Sequence, residues 1–186
     1  MRMNINSQRH STAVMTLFLL VAIVSACSTR DETEKANKLV DEGNAALQEA
    51  RKYVVEAETK KQKMFQTNIA KIEEGRAIAK EALAAYDKAR EKCKEASRKY
   101  EEASKLKVKD KFKEYLTLKM KEFDKRAELI ETAKGVPQAL IDNETHANFV
   151  SLANATTAKV DQLAKEATDL AAQAAKLQKE NPDSIK

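Results

Sequence analysis

Tryptophan is missing from the 186 residues, glycine occurs three times and proline twice. Sandwiches and barrels need many reversals built on Gly and Pro, so β-rich architectures are excluded and helix is the class left. Aromatic residues make up only 5% of the chain. A core must then be assembled from Ala, Leu, Val and Ile between closely approaching helices. Gly43, Gly75 and Gly135 are too far apart for a phosphate-cradling loop. Beyond the first 26 residues the single histidine is His146, with no neighbouring Cys or second His. That rules out a His-Cys dyad and a multi-histidine metal site, and His146 reads as a solvated residue beside a helix start. Acids are plentiful, but without pocket-forming Trp, His or Gly they read as solvated helix faces. No enzyme, metal or cofactor is expected.

What is present begins with an unusual N-terminus. Arg2 and Arg9 stand without any acid, the apolar run Ala13 to Val24 follows, and small residues lead to Cys27. A charged start, an apolar centre about half as long as the roughly 20 residues that span a bilayer, and a small-residue exit together make a secretory signal. The exit Val24-Ser25-Ala26-Cys27 resembles the lipobox of bacterial lipoproteins, an aliphatic residue and two small ones before an obligatory cysteine. That resemblance implies a diacylglyceryl group on the Cys27 thiol, cleavage before it, and acylation of the new amino terminus. Residues 1 to 26 are then the signal peptide and Cys27 the lipidation site. Three acyl chains at about 0.8 kcal/mol per buried CH₂ hold a protein on a membrane permanently. In enterobacterial lipoproteins the residue after the cysteine influences sorting, and Ser28 by that likeness points to the outer membrane, facing the periplasm or the cell surface. Murein lipoproteins, much shorter single-helix chains, attach to peptidoglycan through a C-terminal lysine; Lys186 ends this chain.

Removing residues 1 to 26 takes away two arginines and no acid, leaving 32 basic and 29 acidic residues, a net charge of +3. Both signs are interspersed, so charge alone suggests no nucleic-acid partner. With Cys27 thioether-linked, Cys93 is the one remaining thiol and no internal disulfide framework exists. Cys93 falls between Ala89 and Ala96 on an apolar stripe and reads as a small buried hydrophobe, the alternative being an intermolecular disulfide.

Residues 27 to 32 form a short tether, 33 to 180 a helical domain, and 181 to 186 a polar tail. From Thr33 to Ser104 there is no proline, and apolar or small residues recur in steps of four and three: Ala36, Val40, Gly43, Leu47, Ala50, Val54, Ala57, then Ala79, Ala82, Tyr86, Ala89, Cys93, Ala96, Tyr100, Ala103. Phe65, Ile69 and Ile72 carry the stripe across the middle, although a turn between 66 and 76, around Gly75, is also compatible. Asp110 is placed to cap a second segment running through Phe112, Leu116, Phe123 and Ile130 to a stop at Lys134-Gly135 with Pro137 beyond. Asp142 or Asn143 can cap the last helix, whose stripe runs Phe149, Ala153, Thr156, Val160, Leu163, Ala167, Leu170, Ala174, Leu177. Pairs four apart, such as Glu56 with Lys60, Glu95 with Lys99 and Asp161 with Lys165, support exposed helix faces.

The fold class is therefore all-α, of three to four helices, in one of two forms. An unbroken first helix of roughly 110 Å makes an elongated coiled-coil hairpin, and a turn near Gly75 makes an antiparallel up-and-down bundle of helices roughly 40 to 60 Å long. An Ala-rich stripe also permits a homo-oligomer. Lysines at 105, 107, 109, 111, 113, 119 and 121 form the one local basic concentration, diluted by Asp110, Glu114 and Glu122. They are the candidate contact for an anionic partner such as peptidoglycan, and in the long hairpin they would lie farthest from the lipid. The expected role is a non-catalytic, lipid-anchored envelope protein acting as a spacer, scaffold or partner-binding module for envelope proteins or cell-wall polymer. The alternative is a ligand-binding surface lipoprotein using Lys105, Lys107, Lys109, Lys111 and Lys113.

Overall fold

The computed structural model describes residues 8–67, 71–142 and 146–185, with side chains described from Glu32 onward except at 146 and 147. Five helices follow in order: α1 Gln8–Gln66, α2 Ile72–Ser104, α3 Asp110–Ala133, the short α4 Gly135–Ile141, and α5 His146–Glu180. Each long helix packs on the one before it, α1 on α2, α2 on α3 and α3 on α5, while α4 bridges α2 and α5. This is the up-and-down bundle. One end, the base, holds Glu32, the α2–α3 turn and the chain's tail; the other, the tip, holds the α1–α2 and α4–α5 turns.

The long hairpin fails because the first stripe does not cross its midpoint. The Thr67 N–H reaches Met64 O at 3.2 Å and its hydroxyl donates to Lys63 O at 3.1 Å, so the last turn of α1 is closed by its own next residue. Phe65 and Ile72, expected to carry the stripe onward, are 55% and 37% exposed. Ile69 lies outside the described residues. Gly75 does not make the turn either. It sits in the first turn of α2, where an added Cβ would meet only ordinary contacts with Leu140 and Thr67.

Two other local expectations shift. Lys109, extended at φ −57° and ψ 144°, is the N-cap of α3, and Asp110 is the first helical residue. Its charge there still complements the positive helix end. The stop at Lys134-Gly135 ends α3 as expected, but Pro137 then sits in the first turn of α4, where the N–H it lacks has no helical partner to lose. Asp142 closes α4 and accepts from the Gln138 side chain at 2.8 Å; Asn143, the other expected cap of α5, lies outside the described residues.

Alanine lines the core, with Ala36, Ala57, Ala79, Ala82, Ala89, Ala96 and Ala103 fully buried. Small side chains let α1 and α2 approach closely, and the volume is supplied by Tyr86, Tyr100, Phe112, Leu116 and Phe123. The Tyr100 ring lies on the bare backbone of Gly43: a Cβ there would stand 2.8 Å from the ring. The same ring packs edge-on against Phe123, with centroids 5.0 Å apart, and its hydroxyl donates to Asn44 at 2.9 Å. The Tyr86 hydroxyl donates to Glu58. Both tyrosines are core residues with hydroxyls at the seam, and burial pushes their pKa values well above the ordinary phenol range.

Register is written in charge. Across α1 and α2, Glu42 pairs with Lys99 at 2.7 Å, Glu49 with Lys92 at 2.7 Å, and Lys60 with Glu81 at 2.6 Å. In each of these pairs the residue numbers add to 141. The Lys88 ammonium over the Tyr53 ring keeps the same total. Across α2 and α3, Ser97 with Asp124, Arg90 with Glu131 and Asp87 with Lys134 all add to 221. A constant sum is what two antiparallel helices in fixed register produce. Lys99 is thus taken across the seam rather than by Glu95, which meets Lys92 instead at 3.0 Å.

The lysine partners hold Glu42, Glu49 and Glu81 below the ordinary carboxylate pKa of 4.5, chiefly through the hydrogen bond and then through charge. A carboxylate whose folded pKa is depressed contributes stability above its unfolded pKa and loses it as pH falls through the folded value. The urea midpoint should therefore drop on acidification from about pH 5 to pH 3. Glu42→Gln, Glu49→Gln and Glu81→Gln together should make that drop smaller, and an equal drop in the triple variant would show that the seam pairs are not its source.

Candidate functional site

Cys27 stands five positions before Glu32; its side chain lies outside the described residues, as do those of His146 and Lys186. Glu32 accepts the backbone N–H of Lys107. That hydrogen bond places the lysine-rich turn at the base, beside the start of the body, rather than at the far end as in the long hairpin.

Within the turn most ammonium groups are engaged. Lys105 pairs with Glu101 at 2.7 Å and Lys111 with Glu114 at 2.8 Å, while Lys109 donates to the backbone carbonyl of Asp183 at 2.5 Å. Lys107 and Lys113 have no acidic partner among the described residues, and Lys107 is exposed. Lys119 turns inward toward Glu122 at 2.5 Å, with its ammonium over the Phe123 ring, and so leaves the cluster. Lys121 is exposed beside Asp124 and Lys125. Of the seven lysines, those at 105, 107, 109, 111 and 113 share one turn and its helix start.

The tail is docked. After α5 ends, the Asn181 amide donates to Leu177 O at 2.9 Å, and the Ser184 and Ile185 N–H groups bond back to Asn181 O. Ile185 is thereby buried in the main core. Between tail, turn and α1 lies a cavity of about 150 Å³ lined by Thr33, Asn37, Lys109, Phe112, Asp183 and Ser184. The Asn37 amide oxygen is buried there with no protein donor among the described residues. A lone Ile beyond Pro182 and an Asn on a charged helix face carry no periodic signal, and sequence patterning passed over both.

On α3, Glu122 is 2% exposed and held by Lys119 and by Arg126 at 2.8 Å. Its charge is matched by neighbours on its own helix, one turn to either side, which is how a carboxylate tolerates burial. Among the described residues no group of three His, Cys, Asp or Glu side chains is placed to hold a metal ion.

At the tip a second small core forms from Met64, Ile78, Ala79 and Val136, with Leu140, Ile141, Phe149 and Ala153 against it. Phe65 meets Phe149 edge-on at 6.1 Å. Among the described residues no helix is long and apolar enough to cross a membrane. No family model, curated protein or solved structure matches the chain.

Proposed function

We propose that this chain is a lipid-anchored bacterial envelope protein that does no catalysis and serves as a rigid helical spacer, scaffold or partner-binding module. The observation that carries the reading is Val24-Ser25-Ala26-Cys27 at the exit of an apolar signal, a few residues before a charge-laced helical body. Helices α2, α3 and α5, of 24 to 35 residues, make the part of the bundle beyond Glu32 roughly 50 Å tall, with its base on the anchor's side and its tip held out from it.

A second reading, contact with an anionic cell-wall polymer through the basic turn, is favoured by the exposed Lys107 at the base, which has no acidic partner among the described residues. One fractionation tests both. Cys27→Ala should leave the protein soluble or as an uncleaved precursor of higher mass, and normal processing with normal membrane retention would refute the anchor. If the turn is a wall contact, soluble Cys27→Ala protein should still pellet with purified sacculi at low salt, and Lys107→Glu with Lys113→Glu should end that. Pelleting unchanged by the two reversals would remove the second reading.

A further inference from the structure

The long helices are not held equally. Twelve positions of α2 are buried, whereas among the described residues of α5 the buried ones are Thr156, Leu163, Ala167, Ala174 and Leu177, of which two carry a large side chain. α5 packs on α3 and α4, with the Lys125–Glu166 pair at 3.0 Å across the α3 seam, and is not stacked along α1. The chain leaving α5 does reach α1, at the base, where Asp183 and Ser184 line one cavity with Thr33 and Asn37. There Ile185 is 3% exposed within the main core, and the Lys109 ammonium donates to the Asp183 carbonyl.

We propose that residues 181–185 are a releasable latch: seated, they hold the base half of α5 closed, and released, they let it lift from α3 while α1, α2 and α3 stay folded. The tail is built to yield first. Its turn is self-contained, since the Asn181 amide donates to Leu177 O and the Ser184 and Ile185 N–H groups donate to Asn181 O, so these hydrogen bonds travel with it and none is lost on release. What release breaks is the Lys109 hydrogen bond, between exposed residues where water replaces it, and the burial of one apolar side chain. The seat is also imperfect. A cavity of about 150 Å³ lies against the tail, and the Asn37 amide oxygen, buried there without a protein donor among the described residues, gains water when the tail leaves. With Leu163 and Leu177 as the only large side chains that α5 buries, Ile185 is a substantial part of its hold, and its loss shifts the balance toward opening. At the tip Phe149 and Ala153 stay against the second small core, so the end that lifts is the base. The inference does not rest on the lipid anchor.

Hydrogen exchange of the full chain, followed by mass spectrometry, reads the two parts separately. Ile185→Ala should speed exchange of the α5 amides from Leu163 to Glu180 at least about tenfold and leave those from Leu47 to Ala57 and from Ala82 to Cys93 within about twofold of wild type. Ile185→Val keeps most of the buried side chain and should recover most of the protection. Unchanged α5 protection in Ile185→Ala would mean that the tail does not hold α5. An equal rise across α1 and α2, or loss of the fold, would make the tail an ordinary part of one cooperative core, and either result overturns the latch.

Discussion

Tyr100→Ala should lose about 3–5 kcal/mol of folding stability, the cost of removing a large aromatic from a closed core. The ring is fully buried and joins α2 to two other helices: it lies on the Gly43 backbone of α1 and against Phe123 of α3, and its hydroxyl reaches Asn44, also on α1. A domain of this size is stable by about 5–15 kcal/mol, so the variant sits at the edge of folding. Tyr100→Phe keeps the ring and loses one hydrogen bond to the exposed Asn44, which water can replace, so about 1 kcal/mol or less should go. Gly43→Ala separates packing from propensity. In an isolated helix Ala is favoured by about 1 kcal/mol, but here its Cβ would meet the ring at 2.8 Å, and Phe123 blocks the ring's retreat. Overpacking of about 1–3 kcal/mol should outweigh the propensity and make Gly43→Ala destabilising. In the Tyr100→Ala background the same change should become neutral or stabilising. Urea unfolding followed by far-UV circular dichroism reads both signs; a Gly43→Ala effect that is equal in the two backgrounds would mean that the ring does not constrain position 43.

How much of this was legible beforehand divides by the kind of signal. Helix class, the stripes of α2, α3 and α5, the burial of Cys93, Tyr86 and Tyr100, and the stop at Lys134-Gly135 all follow from period and punctuation, which act locally. The choice between hairpin and bundle did not, because Phe65 and Ile72 are apolar in either case; an apolar residue is permitted at the surface, and how far neighbouring helices cover it is decided only by the assembly. Register was recoverable in principle. Glu42 and Glu49 on one helix and Lys92 and Lys99 on the next have equal spacing and opposite sign, a pattern that sets the register once the short α1–α2 connection has made the two helices antiparallel. Glu122 reads as one more solvated acid until α3 has neighbours, since burial belongs to the assembly of helices and not to the residue. The position of the basic turn follows from the helix count: with α1 broken, the α2–α3 turn returns to the base, and the lysines come to lie beside Glu32.

Cys93 should be the slowest-reacting thiol in the protein, by a factor large enough to count thiols with. Burial pushes it from 9.0 up to about 11, Glu122 adding to that and Arg126 opposing it. At pH 8 this alone lowers the thiolate fraction about a hundredfold, and a side chain 2% exposed adds steric exclusion. Native protein should thus label with a thiol reagent at least about a hundredfold more slowly than in urea, at a rate set by opening of the bundle. Tyr100→Ala, two turns along α2, should speed native labelling as it lowers the cost of opening. Rapid stoichiometric labelling of the native wild type would mean that the α2–α3 seam at Cys93 is open. The same titration bears on the anchor: beyond the signal the chain has two cysteines, so one reactive thiol in urea means that Cys27 is blocked, and two mean that it carries no thioether-linked lipid.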